Sequence, residues 1–374
     1  MSDRRPPVED GRNLNTMLSP STLDDQPSAE RPQADGSLLL TGPLRGPVWA
    51  VTTAVSPAGQ VVIAAGDSKG TVTWWDAVSG ELLCDARTRD KSVVRSIITV
   101  VLPGPRIGFV TATSLGAQLW EWDEDGPVRP GRTFLSKSGV WSVAALRVSE
   151  SRTLLFTGED DGQIHRWDLT TGEPVGEPFG DFEGAVRAMI AVAQIDGEPT
   201  LLAGGDDGTV RRFHAETSRQ TAPTLPSVGG AVWALTVAEP VAGATNVVSA
   251  GNNGVLTRWD ESGALAGPPI VVGPGSLSSV VTVDLRDRGP ALICGGTDGR
   301  LSCWDARTGE PVGRPEPASG RGVFSLAAVP LADDHLKLAA GTDGGVIVAP
   351  MAWTSQPRLS APAQVDSTRG PDRL

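Results

Sequence analysis

Three histidines, three cysteines and two acidic turns are the side chains in this sequence that could do chemistry. A hydrolase needs a nucleophile beside a base, and only His165, His214 and His335 supply an imidazole. His165 lies two residues before Trp167, His214 follows Phe213, and His335 sits in "ADDHLKL"; each reads as a strand or turn residue. No GxSxG, HExxH, CxxC or GxxxxGK stretch occurs. Cys84, Cys294 and Cys303 are odd in number and lack zinc spacing, which fits a reduced, cytoplasmic setting. Cys294 and Cys303 could face each other across a hairpin, but directly paired strand positions fit disulfide geometry poorly. The turns "GEDDG" and "GGDDG" gather carboxylates without the ligand number or spacing of a Ca²⁺ loop. A turn Asp more simply bonds its own backbone. The reading expects no catalytic residue, no metal and no cofactor.

The totals agree. The 374 residues carry a net charge of −12, whereas nucleic-acid binding by counterion release needs clustered Lys and Arg, so no nucleic acid is expected. The first residues lack the apolar core of a signal peptide, and no run is long enough to cross a bilayer, so a soluble protein without a membrane partner is expected. With 45 Gly and 30 Pro, many short strands joined by turns are favoured over long helices. Eleven Trp and no Tyr make the indole positions the ones to follow.

The indoles reveal the elements that must hold any site. The stretch "FTGEDDGQIHRWDLTTGEPVG" recurs when the chain is aligned on its Trp-Asp pair. Copies end at Trp75-Asp76, Trp122-Asp123, Trp167-Asp168, Phe213-His214, Trp259-Asp260, Trp304-Asp305 and Ala349-Pro350, a period of about 46 residues. An earlier landmark, V-x-x-V, starts at Val48, Val94, Val140, Val186, Val232, Val280 and Val323. Each unit therefore reads as a four-stranded antiparallel meander with a tight Asp-Gly or Asn-Gly hairpin. Such a sheet cannot bury both faces alone, but seven arranged radially can.

On these residues the sequence resembles the WD40 family of seven-bladed β-propellers, an all-β fold, over 36–355, with disordered tails expected at 1–35 and 356–374. Trp-Asp at the end of the third strand is that family's namesake. Asp161, Asp207, Asp298 and Asp343, with Asn253 standing in, match its tight-turn Asp. The family's Gly-His dipeptide is missing throughout, so its His–Asp–Trp network is expected to be incomplete. The Trp of the Trp-Asp pairs, with Phe213, should pack between blades. For ring closure, "TSQPRLSAPAQ" makes a poor last strand, whereas Leu38–Thr41 matches a fourth strand and should pair with blade seven between Val346 and Met351.

Positions that the fold dictates should be alike in every copy, and the second residue of V-x-x-V is not. It reads Trp49, Arg95, Trp141, Arg187, Trp233, Val281 and Phe324. The resemblance implies that these residues stand at the mouth of the central channel on the top face, which family members commonly use for partners. Trp and Arg are enriched in binding hot spots, and here each Arg should lie between two indoles. Asp160 and Asp206 add acid at the same face. The expected function is a non-catalytic protein–protein interaction scaffold that is monomeric and binds a peptide or protein surface at this face. Its wording is similar to WD40 proteins of high-GC bacteria, many of them attached to signalling or defence proteins. The alternatives are a small-molecule or anion sensor using Arg95 and Arg187, and an enzyme on a propeller.

Overall fold

The computed structural model describes residues 37–358 except 105, 123–127, 196, 242–243, 286–287, 319–321, 331–335 and 351–356. Asp123, His335 and all the tail residues but Pro357 and Arg358 lie outside the described residues. The described chain forms seven antiparallel sheets. The second strand of a blade is its most sealed: every residue of Val61–Asp67 and of Thr153–Glu159 is buried. A strand covered by neighbouring blades on both sides has no solvent face, so it reads as a continuous apolar run rather than an alternating one.

The hairpins follow from their turn residues. Gly162, Gly208, Gly254 and Gly299 hold φ between +70° and +81°, a region that glycine enters without steric cost. Asp161, Asp207 and Asp298 each accept the backbone N–H two residues on, at 3.1, 2.9 and 3.0 Å. Asn253 instead donates its amide to Val228 O at 3.2 Å. Blade seven has a hairpin one residue shorter, with Thr342 paired to Gly345, so Asp343 stands alone where blades three and four have two acids. At the far end of the third strand, Asp168 Oδ1 accepts the amides of Thr170 and Thr171, both at 2.9 Å. His214 does the same job with Nδ1, accepting from Glu216 and Thr217 at 3.2 and 3.4 Å, which explains how it replaces Asp in "RRFH".

Five of the seven blade junctions interlock through a glycine. A Cβ on Gly66 would lie 2.3 Å from Val94, on Gly158 2.8 Å from Val186, on Gly204 2.4 Å from Val232, and on Gly295 2.7 Å from Val323. Each valine is fully buried; Val186, Val232 and Val323 open the next blade's first strand, and Val94 lies two residues before Ser96–Leu102. Gly341 takes Val48 in the same way, so blade seven seats blade one and the circle closes. Buried arginines add a second tie: Arg166 bonds Ala215 O in blade four, Arg212 bonds Glu261 O in blade five, and Arg258 bonds Ala306 O in blade six.

The closing strand is where the sequence places it. Leu38–Leu40 pairs with Gly345–Pro350, Leu38 opposite Val348 and Leu40 opposite Val346. The fourth strands of blades three to six are shorter than a full meander implies. In blade three, isolated bridges at Phe179 and Pro174 replace the strand, because its Pro- and Gly-rich sequence cannot sustain a ladder. A short strand at Pro357–Arg358 pairs with Asp284 and Leu285 on the free edge of blade six's first strand.

Two alignments shift. In blade two, Trp120, not Trp122, holds the place of the Trp-Asp tryptophan. Trp120 pairs with Phe109 as Trp167 pairs with Leu155, and each indole donates Nε1 to a threonine, Thr111 at 2.9 Å and Thr157 at 3.1 Å. Trp122 lies beyond the strand, buried edge-on against Phe109. The expected Trp122-Asp123 is thus corrected to Trp120-Glu121; the doubled "WEW" and a hairpin one residue shorter hid the shift. The second shift falls in the candidate site.

Candidate functional site

The first strands form the inner wall, each packed on the next, with Val48–Val55 closing onto Val323–Pro330. In six blades this strand carries a bulge directly after its first residue. A bulge leaves one residue out of the ladder and re-aims its side chain. Those residues are Trp49, Trp141, Arg187, Trp233, Ser278 and Phe324, and Arg95 precedes the ladder at the same place in blade two. Blade six thus contributes Ser278. Val281, expected there, lies further along the strand, paired with Ile293 and packed into the core.

The ring residues meet in two groups. Trp49 and Phe324 stack across the seam, centroids 5.3 Å apart and planes at 8°. Arg95 and Arg187 lie over the Trp141 ring at 4.0 and 3.7 Å. The expected order is inverted: one indole lies between two guanidiniums, rather than each arginine between two indoles. Both cations are also committed to acids. Arg187 forks onto Asp206 at 2.8 and 2.9 Å, and Arg95 reaches Asp160 at 3.4 Å. The second Asp160 oxygen accepts the Trp141 indole N–H. Asp160 and Asp206 therefore neutralise the ring arginines. Trp233 is 37% exposed and Trp49 40%, and Trp233 forms no ring stack or ion pair among the described residues.

Sequence reasoning missed two buried carboxylates on the same face. Asp67, fully buried, accepts the amides of Arg45, Lys69 and Thr71 at 2.6, 2.8 and 2.8 Å. Glu159, 2% exposed, accepts the hydroxyls of Ser136 and Ser138 at 2.7 and 2.8 Å. Each ties the linker entering its blade to the hairpin turn, in a chain that lacks the Gly-His dipeptide. The signal was visible: both occupy the residue after the seat glycine, where blades four to six have glycine.

Among the described residues, neither histidine lies in a nucleophile–base pair. His165 stacks on Trp167 with its Nε2 3.7 Å from Glu159, while Ser136 and Ser138 donate to the carboxylate rather than to the imidazole. The three cysteines are free; Cys294 pairs with Ser302 and Cys303 with Ile293, so their thiols leave opposite faces of the sheet. Burial pushes both thiols up to about 12, far from reactive thiolates. Among the described residues, no group of three or more His, Cys, Asp or Glu could hold a metal, and no helix is long and apolar enough to cross a membrane.

No curated protein matches the chain. A family model does, described as WD domain, G-beta repeat, over residues 129–168, from the outer strand of blade two to the Trp-Asp of blade three. That matched repeat lies within a ring of seven antiparallel blades, so the chain is a seven-bladed β-propeller that carries a WD40 repeat.

Proposed function

We propose that this propeller is a non-catalytic scaffold that binds a peptide or protein surface on the rim carrying the bulged ring residues. One observation carries the reading: Trp49 and Trp233 expose large indole surface at the inner rim, whereas Trp75 and Trp259 of the repeat motif are 2% exposed. Exposed tryptophans gathered at a concave centre are the usual hot spots of an interface. An anion sensor built on Arg95 and Arg187 is disfavoured, because both guanidiniums already hold carboxylates. A monomer in the cytoplasm, within bacterial signalling or defence, completes the proposal; free cysteines support the reducing compartment.

The test is capture from native lysate followed by mass spectrometry. The baits are wild type and Trp49→Ala/Trp233→Ala, the latter verified as folded by circular dichroism. A protein captured by wild type and lost by the variant supports the rim. Equal capture by both baits refutes it.

A further inference from the structure

We infer that the partner's anchor is an aromatic side chain beside a Lys or Arg, seated at blade six between Trp233 and Phe324. This rests on the rim reading above and selects one side of it. Three observations converge there.

The first is size. Six ring positions carry Trp, Arg or Phe, and blade six alone carries serine. Ser278 leaves the rim without a bulky side chain between the exposed Trp233 and the Phe324 ring, which an aromatic ring can fill with π-faces at hand. The second is polarity. The Ser278 hydroxyl is buried and has no hydrogen-bond partner among the described residues, so turning it to the rim breaks no bond and offers it to the polar edge of an incoming Tyr or Trp. The third is charge. On blades three and four the rim acids are neutralised by Arg95 and Arg187. On blades six and seven, Asp298 and Asp343 are exposed and form no ion pair among the described residues. Asp343 and Phe324 share one space: a Cβ on Gly322 would lie 3.6 Å from Asp343 Oδ2 and from Phe324 Cζ. Ring and unpaired carboxylate together suit an aromatic residue with a cationic neighbour, and the chain's net charge of −12 draws the same sign of partner.

The experiment pans a displayed library of random peptides against the full-length protein, then measures synthetic versions of the enriched sequences on variants. The expected motif is Tyr, Trp or Phe adjacent to Lys or Arg. Ser278→Leu, which fills the gap, should weaken binding roughly 30-fold, the loss of one hot spot. Ser278→Ala, which keeps the space, should cost no more than about fivefold. Asp343→Asn should cost about threefold and reduce the salt dependence. An unchanged melting temperature shows that Ser278→Leu is folded, and Ser278→Val repeats the test with a smaller plug. Enrichment of acidic or non-aromatic peptides, no enrichment at all, or undiminished binding to Ser278→Leu overturns the anchor. If the peptides bind Ser278→Leu normally but not Trp49→Ala/Trp233→Ala, the rim reading survives and the blade-six seat falls. If neither variant matters, both fall.

Discussion

Placing a methyl group on Gly204 tests the interlock between blades four and five directly. Its Cβ would stand 2.4 Å from Val232 Cγ1 and 2.9 Å from Val232 Cβ. Carbon atoms prefer roughly 3.5–4.0 Å, so the neighbouring blade must yield by about 1 Å. Overpacking of this kind costs about 1–3 kcal/mol, offset by about 0.5–1 kcal/mol because alanine loses less backbone freedom than glycine in a strand. The net expectation for Gly204→Ala is about 1–2 kcal/mol of destabilisation. Val232 is fully buried beside Leu202, Val210, Leu225 and Trp259, so Val232→Ala should cost about 2–3 kcal/mol in lost transfer energy and cavity. In the double variant the new methyl occupies space that the valine vacates. Its cost should fall to about 1–2 kcal/mol, leaving a favourable coupling of about 2 kcal/mol. Urea unfolding followed by tryptophan fluorescence reads all four proteins, provided the m values match. Additivity within about 0.5 kcal/mol would refute the seat.

Other expectations can be checked on the same material. Removing residues 1–42 deletes the closing strand and should lower the melting temperature of the whole ring, while removing 1–34 leaves it unchanged; equal melting would sink the latch. In blade six, Cys294 occupies the place of Thr157, so the Trp304 indole meets a thiol, a weak acceptor, where Trp167 meets a hydroxyl; Cys294→Thr should raise stability by about 1 kcal/mol in a urea titration. Burial alone would raise the Asp168 carboxyl, but the amides of Thr171 and Thr170 and the Arg152 guanidinium hold it below its ordinary value. Its stabilisation is therefore present above the unfolded-chain value and is lost as pH falls through the folded one. Asp168→Asn should flatten the acid limb of the urea midpoint between about pH 5 and pH 2; an unchanged limb would refute the linkage.

The repeat, the blade number and the closing strand were legible because they rest on local chemistry: glycines at positive φ, an acid capping most turns, an apolar run sealed on both faces. Phase errors arose where that chemistry is doubled or thinned. "LWEWD" offers two tryptophans, and only the shorter hairpin in blade two makes Trp120 the packed one. "LSSVVTVDL" holds one V-x-x-V, from Val280, but the true phase is the L-x-x-V from Leu277, where the bulge, which no residue type announces, selects Ser278. The ring chemistry was legible as a set of residues but not as an arrangement. Which cation meets which indole depends on Asp160 and Asp206 reaching the arginines of blades two and four. The glycine seats were readable in principle, since Gly66 and Val94, Gly158 and Val186, Gly204 and Val232, and Gly295 and Val323 keep one constant separation. Each pair spans two blades, so a scan for motifs within one repeat passes over it.

The pairing of Leu38 with Val348 also sets a timetable. On a ribosome adding about 5–20 residues per second, the early strand waits for a partner made about 300 residues later, some 15–60 seconds at those rates. Through that interval blade one has no seventh blade against which to bury Val48, and six blades stand as an open arc with one apolar face bare at each end. The finished ring owes its cooperativity to a contact that the growing chain cannot make. Its most vulnerable period, to proteases or to another arc offering the same edge, is therefore its synthesis.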